Sequence, residues 1–157
     1  MGGDGAGAAG RTSLPDLSVV VLAWDNLHYT RAFVESARAN TDVSYELIVI
    51  DNGSQPEAAD YAQTAADRAV LNPENRGFAP GMNQGLECAR GEYIAFCNND
   101  CLLPPAWASR LVGTARAHPG AGIVVPAITA ASNPVTVRAE PGVDISVLDS
   151  FSAPPAA

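Results

Sequence analysis

The stretch NPENRGFAPGMNQGLECARGEYIAFCNND, residues 72–100, decides the fold. It opens as a polar loop and continues as a helix that we predict to end at Gly91 in a left-handed cap. Tyr93–Cys97 is an apolar strand that runs directly into Asn98, Asn99 and Asp100. A buried strand that ends in polar side chains is typical of α/β sheets, in which ligands bind outside the carboxyl ends of the strands. The stretch therefore predicts both an α/β fold and the place of its site.

The same alternation extends on both sides of this stretch. LSVVVLA from Leu17 and YELIVID ending at Asp51 are short apolar runs typical of strands buried on both faces. The other predicted elements are a helix capped by Asn26 to about Ala39 with Tyr29, Phe33 and Ala37 on one face, a helix from Pro56 through Ala65, a strand at Ala69–Leu71, a helix from Pro105 to about His118 and a strand at 121–128. Together they predict a three-layer α/β/α sandwich around a mostly parallel, Rossmann-like sheet.

The composition predicts three segments along the chain and argues against some classes of binding partner. Residues 1–16 are rich in Gly and Ala and predict a disordered tail, residues 17–128 form the domain, and residues 129–157 are a poorly defined segment. The net charge of −8 and the absence of lysine argue against nucleic acid and anionic membranes as partners, since both need a positive field. No segment reaches membrane-spanning length. An odd number of cysteines without a signal peptide predicts a cytoplasmic protein with reduced, buried thiols.

Polar clusters follow three of the predicted strands. The first strand runs into Ala23, Trp24 and Asp25, the second into Asp51 and Asn52, and the last into Asn98, Asn99 and Asp100. Because parallel strands bring their carboxyl ends to one edge, these groups should converge there. The alternative is that the carboxylates only cap helices or stabilise turns. A dinucleotide site, a Walker loop and a Ser-His-Asp hydrolase are disfavoured because their glycine, lysine and nucleophile-elbow motifs are missing.

Three segments in order resemble the family 2 glycosyltransferases, which have the GT-A fold. They are SVVVLAWDNLHYTRAFVESARANT, YELIVIDNGS and the stretch of residues 72–100, and the resemblance spans about residues 17–128. The chain is most similar to the bacterial branch that includes rhamnosyltransferases and other cell-surface glycan enzymes. The resemblance implies a nucleoside-diphosphate sugar as donor and a glycan or lipid-linked acceptor.

The resemblance also implies roles for individual residues. Those implied to bind the nucleotide sugar are Ala23, Trp24, Asp51, Asn75, Arg76, Gly77, Asn83, Asn98 and Asn99. The family's D-x-D motif reads Asn98, Asn99, Asp100 here, so a single carboxylate, Asp100, is implied as the ligand of Mg²⁺ or Mn²⁺. Hard carboxylate and phosphate oxygens suit either ion. Trp24 as a core aromatic and Arg76 as a solvated loop charge are the alternatives for those two residues.

The end of the chain departs from the family pattern. Nothing after Ile128 resembles the acceptor-binding half, which supplies the general base, so we expect only the donor-binding half and assign no catalytic base. Glu140, Asp144 and Asp149 lie in no recognisable motif. The rival functions are a non-catalytic nucleotide-sugar-binding module or inactive fragment, and a sugar nucleotidyltransferase. The second would need a glycine-rich basic loop after the first strand, which this chain lacks.

Overall fold

The computed structural model describes residues 14–126, in which strands and helices alternate as predicted. In chain order the elements are β1 (Leu17–Ala23), α1 (Leu27–Asn40), β2 (Tyr45–Asp51), α2 (Pro56–Ala65), β3 (Arg68–Leu71), α3 (Phe78–Cys88), β4 (Tyr93–Asn98) and α4 (Trp107–Ala117). The strands pair in parallel in the order β3-β2-β1-β4. The predicted α/β class is thereby confirmed. The predicted bounds of these elements agree with the structure to within about two residues, except that α3 ends at Cys88 and not at Gly91.

Two apolar layers cover the sheet. On one face, alternate residues of β1 and β2 pack against α1, α2 and α4, where Phe33 and Ala108 are fully buried. On the other face, a smaller cluster centred on Val20, Ile48 and Met82 lies beneath α3. The central strand β1 is buried on both faces because its neighbours and both helical layers surround it. This arrangement is the predicted three-layer sandwich.

Helix α3 lies close to β1 because two glycines face the strand. A β-carbon at Gly81 would lie 2.5 Å from Leu22 Cδ1, and one at Gly85 would lie 2.2 Å from Val20 Cγ1. Both distances are too short for a real contact. The Leu22 methyl group is the end of a flexible side chain and can move, whereas Val20 is branched and fully buried, so the spacing of helix and strand requires glycine above all at position 85. The resulting close packing fixes the N-terminal end of α3 beside the carboxyl end of β1.

Two predicted helix caps are wrong in detail. Helix α3 ends at Cys88, and Gly91 is not among the glycines with positive φ. Gly91 is required for another reason, because a β-carbon there would lie 2.5 Å from the Ser18 nitrogen of β1. Asn26 does occupy the N-cap position of α1, but its φ is 45° and its side chain makes no capping hydrogen bond. Tyr29, predicted on the apolar face of α1, is 46% exposed.

The predicted strand at 121–128 is absent from its described part. Residues 121–126 form no strand, and Ile123 and Val125 are exposed. An apolar run becomes a strand only when a neighbouring strand pairs with it, and within residues 14–126 the sheet ends at β4. Positions 127 and 128 lie outside the described residues.

The ends of the domain are only partly described. Pro15 and Asp16 accept backbone hydrogen bonds from Glu92 and Tyr93, so the chain joins the fold before Leu17. The rest of the predicted tail and the whole of 129–157 lie outside the described residues. No helix within residues 14–126 is long and apolar enough to cross a bilayer.

Candidate functional site

The carboxyl ends of three strands meet at one edge of the sheet. Ala23 of β1 lies beside Asp51 of β2, and Leu22 lies beside Asn98 of β4 in the strand register. The predicted convergence of the polar clusters is therefore confirmed. The binding roles of the individual residues stay predictions.

A cleft of about 280 Å³ opens at this edge, between the ends of β1 and β4 and the start of α3. Its walls combine exposed aromatic rings with amide and carboxylate groups. The lining residues are Leu22, Trp24, Asn26, Phe78, Asn98, Asn99 and Asp100. A concave site with an apolar wall and a few convergent polar groups suits a ligand that has a flat ring and a charged part.

A strained turn presents Trp24 to the cleft. The indole is 55% exposed, so Trp24 is not a core residue, which was the alternative prediction for it. Asp25 and Asn26, which follow it, both have left-handed φ angles of 48° and 45°. Such residues cost of order 1–3 kcal/mol each unless neighbouring structure holds them. Here Asp25 is held by the turn after β2, because its N–H donates to Ser54 Oγ and its Oδ1 accepts from the Gln55 N–H.

The end of β4 contributes the polar wall. Asn98 is exposed, while the Asn99 amide is half-buried and donates to Thr30 Oγ1 on α1 at 3.1 Å. Asp100 is exposed and has no ion-pair partner within residues 14–126. Its carboxylate is therefore a negative charge left open to the cleft.

The cysteines beside Asp100 serve the core. Burial, with a smaller contribution from the neighbouring Cys101, raises the pKa of Cys97 to about 12. Burial also raises the pKa of Cys101, with a further contribution from the charge of Asp100. Both thiols pack against the main apolar cluster, as the sequence predicted. They remain protonated at neutral pH and differ in this from thiolate metal ligands.

The described lining of the cleft offers a divalent cation a single carboxylate, that of Asp100. No three His, Cys, Asp or Glu side chains converge on a common point within the described part of the chain. A cation at this edge would therefore take one carboxylate ligand from these residues. That fits an Mg²⁺ or Mn²⁺ ion whose other ligands are the oxygens of a bound diphosphate and water.

Two predicted ligand contacts lie beneath the cleft. Ala23 is buried, and its carbonyl accepts from the Asn52 N–H at 2.8 Å. Asp51 is 1% exposed, and its Oδ2 accepts from the Ser54 N–H at 3.1 Å. The other oxygen, Oδ1, is buried and has no hydrogen-bond partner among residues 14–126, which is uncommon for a buried carboxylate. Asp51 therefore stabilises the turn after β2 through Oδ2, as the alternative predicted, and keeps one unused acceptor in Oδ1.

Four further predicted residues lie beside the cleft but do not line it. Asn75, Arg76 and Gly77 are exposed in the loop before α3, and Asn83 is exposed on that helix. The Asn75 side chain turns inward, where its Oδ1 accepts from Asn52 Nδ2 and from the Gly77 N–H. Arg76 makes no ion pair within residues 14–126, which leaves its guanidinium available.

Sequence reasoning missed three residues of the cleft wall. Phe78 is 58% exposed at the first position of α3, opposite the end of β1. Leu22 and Asn26 complete the wall. An aromatic residue directly after the loop that leads to a strand-end site was the available signal for Phe78. No sequence signal marks Leu22 as a cleft residue, because the residues on the two faces of a strand buried on both sides are equally apolar.

Comparison with known proteins identifies the family. The model of the family described as Glycosyl transferase family 2 matches residues 18–142, which is most of the chain. The chain belongs to glycosyltransferase family 2. EpsH of Bacillus subtilis (strain 168), named as a glycosyltransferase, is 32% identical to this family 2 chain over 105 residues. The aligned part is 64% of this chain and 30% of EpsH.

Solved structures agree on the fold of this family 2 chain. A mannosyltransferase, PcManGT from Pyrobaculum calidifontis, in complex with GDP-Man and Mn²⁺, superposes with a TM-score of 0.52 at 22% identity. It is matched over 64% of this chain and 31% of its own. TarS 1–349 of S. aureus in complex with UDP-GlcNAc superposes with a TM-score of 0.58 at 19% identity, over 66% and 32%. The chain thus spans about a third of the length of the proteins it matches.

Proposed function

We propose that the chain is the donor-binding part of an inverting glycosyltransferase that holds a nucleoside-diphosphate sugar with Mg²⁺ or Mn²⁺. The observation that carries the proposal is the cleft at the strand ends, where an exposed indole and an unpaired carboxylate face one space. Two solved members of the fold bind donors of this class, GDP-Man and UDP-GlcNAc. The cytoplasmic location expected from the cysteines stays a prediction.

Each wall of the cleft has its own part in this proposal. Trp24 and Phe78 offer aromatic faces on which a nucleobase stacks. Asn98 offers an amide to a ribose hydroxyl, since amides both donate and accept hydrogen bonds. Asp100 binds the metal ion, which neutralises the charge that develops on the departing diphosphate. Arg76 lies at the rim, where its guanidinium can meet the same phosphates.

Asp51 recognises the base edge in this proposal through its unused Oδ1. A buried acceptor without a partner costs about 1–3 kcal/mol, and a nucleobase N–H would remove that cost. Because Oδ1 is covered, this contact requires a local shift of the groups that cover it.

The transfer step requires a second group that lies elsewhere. An acceptor hydroxyl, on a glycan or a lipid-linked acceptor, loses its proton to a base and attacks the anomeric carbon from the face opposite the nucleotide. Asp25 does not line the described cleft, and its Oδ1 accepts from the Gln55 N–H at the start of α2. Asp100, the one carboxylate of the described lining, is assigned to the metal.

Titration calorimetry tests the proposal directly. The chain is titrated with UDP-GlcNAc and with GDP-Man, in the presence and absence of Mn²⁺, alongside Asp100→Ala and the control Asp60→Ala. Asp60 is an exposed carboxylate on α2, a helix that contributes no residue to the described lining of the cleft. We expect one of the two donors to bind with Mn²⁺-dependent affinity, and only Asp100→Ala to lose that dependence. Equal metal dependence in Asp100→Ala would overturn the metal assignment, and no binding of either donor or of free UDP or GDP would overturn the donor site.

A further inference from the structure

Three amide side chains, two buried and one half-buried, form a network behind the cleft. Asn52 follows β2, Asn72 follows β3, and Gln84 lies on α3. Asn72 and Gln84 are paired reciprocally, with both N···O distances at 2.9 Å. The second N–H of Asn72 donates to Asn52 Oδ1 at 3.2 Å. The network thus joins two strand ends to the helix that forms the cleft wall.

Asn52 connects this network to the loop at residues 73–77. Its Oδ1 accepts from the Arg76 N–H at 3.1 Å. Its Nδ2 donates to Asn75 Oδ1 at 2.8 Å and to the Gly77 carbonyl at 3.3 Å. With the bond from Asn72, all four hydrogen-bonding positions of the Asn52 amide are in use. Asn52 is 1% exposed, so water does not compete for these bonds.

The loop itself is shaped to sit on this network. A β-carbon at Gly53 would lie 2.6 Å from the Glu74 backbone, so the loop rests directly on the turn after β2. Gly53 and Gly77 have φ angles of 81° and 89°, which favour glycine. The loop therefore has one backbone path, which ends at Phe78 in the cleft wall. None of the three amides lines the cleft.

We infer that Asn52, Asn72 and Gln84 are positioning residues of the donor site. They fix the path of loop 73–77 and thereby place Phe78 and Arg76 for the nucleoside diphosphate, without touching it. The inference rests on the proposed function and adds to it residues that neither motif nor family match assigns. All four hydrogen-bonding positions of the Asn52 side-chain amide are satisfied, so the network is rigid. Any other path of the loop would leave buried hydrogen-bonding groups unpaired.

Isosteric variants test this inference without emptying the core. Asn52→Asp keeps the shape and the acceptor of Asn52 but loses both donors, and Gln84→Glu loses the donor to Asn72. Ser18→Ala is the control, because it removes hydrogen bonds of a buried hydroxyl at the opposite edge of the sheet. Thermal unfolding shows whether Ser18→Ala is destabilised as much as the two amide variants. The titrations are made at a temperature well below the unfolding transition of every variant.

Two readouts separate positioning from stability. NMR hydrogen exchange of the Arg76 and Gly77 amides needs no ligand. We expect protection of both amides in the wild type and no change at these amides in Ser18→Ala. In Asn52→Asp the acceptor of the Arg76 N–H is retained, but Asn75 loses the donor that holds its Oδ1, so we expect the protection of the Gly77 amide to be lost. Calorimetry with UDP and GDP in Mn²⁺ should show affinity about tenfold weaker in Asn52→Asp and Gln84→Glu, as the loss of one or two hydrogen bonds predicts, and unchanged in Ser18→Ala.

The outcomes are distinguishable. Wild-type binding with unchanged affinity in both amide variants would overturn the positioning role and leave the proposed function intact. Retained protection of the Gly77 amide in Asn52→Asp would also overturn it, whatever the affinity. If the wild type binds neither nucleotide, the proposed function fails and the positioning role fails with it, while the exchange data still report on the loop.

Discussion

At the scale of single residues, the exposure of Trp24 is the property most directly linked to ligand binding. The chain has two tryptophans, and Trp107 is 7% exposed in the core, so a change in fluorescence on binding reports on Trp24. We expect nucleotide to quench the wild-type emission and to leave the emission of Trp24→Phe unchanged. Trp24→Ala should lose about 1–3 kcal/mol of binding free energy, as for other base–aromatic stacks. Full affinity in Trp24→Ala would show that the indole is no part of the site.

Glu46, a second informative residue, lies at the opposite edge of the sheet. It is 3% exposed and accepts from Ser18 Oγ at 2.7 Å and from Arg90 Nη2 at 2.8 Å. Burial alone would raise the pKa of Glu46, but the hydrogen bonds from Ser18 and Arg90 and the charge of Arg90 outweigh burial and lower it. A carboxyl with a lowered pKa in the folded state stabilises the fold above its unfolded pKa. That contribution is lost as the pH falls through the folded value.

Glu46→Gln tests this carboxylate through the pH dependence of stability. At pH 7 the variant should lose about 2 kcal/mol of unfolding free energy, the order expected for hydrogen bonds to a charged group. The difference from wild type should shrink below the ordinary glutamate value of 4.5, where the unfolded carboxyl is protonated. Urea titrations from pH 7 to pH 3 measure both quantities. A difference that stays constant over this range would mean that the charge of Glu46 is not what stabilises the fold.

At the scale of elements, the contact of α3 with β1 decides where the cleft wall stands. Gly85→Ala places a methyl group 2.2 Å from Val20 Cγ1, so the helix must move or the core must strain. Overpacking of this kind costs about 1–3 kcal/mol. Gly113→Ala in α4 is the matched control, because a β-carbon there meets nothing within 4 Å. It should be stabilising by about 0.5–1 kcal/mol through helix propensity alone. Equal effects in chemical denaturation would contradict the packing account.

The same elements show what sequence could predict. Apolar runs and their spacing were sufficient for the eight observed helices and strands of residues 14–126, because β1 and β2 are buried on both faces and are apolar in all but a few positions. The strand predicted at 121–128 failed because strand pairing depends on a neighbour that local pattern does not contain. Gly91 was misread for a similar reason. Its requirement comes from the Ser18 backbone, a contact across 73 positions that no helix signal reveals.

The site was predictable in its location more than in its contacts. The strand-end rule placed Trp24, Asn98 and Asp100 at one edge, and the register confirms that edge. The roles of Asn52 and Asn72 depend on amide pairs between three elements, which composition and spacing do not report. Phe78 belongs to the cleft only because Gly81 and Gly85 bring α3 close to β1.

At the scale of the whole molecule, the donor cleft lacks a second carboxylate within its described lining. A general base contributes about 10²–10⁴-fold to transfer. We therefore expect the 157-residue chain to bind donor but to transfer no sugar at a measurable rate, with slow donor hydrolysis at most. Mass spectrometry with a panel of donors and acceptors, on this chain and on a longer protein of the family that contains the corresponding segment, measures this. Efficient transfer by the chain alone would place the base within it.

The central claim is that a metal-bound nucleoside diphosphate occupies the edge formed by the ends of β1 and β4. Paramagnetic broadening by Mn²⁺ in amide NMR spectra tests it most directly, with Mg²⁺ as the diamagnetic control and UDP or GDP as the nucleotide. The account predicts that signals of Trp24, Asn98 and Asp100 disappear when Mn²⁺ and nucleotide are both present, while Ser18 and Glu46 at the far edge stay sharp. Broadening centred on Ser18 and Glu46, or none at Asp100 with nucleotide bound, would contradict it.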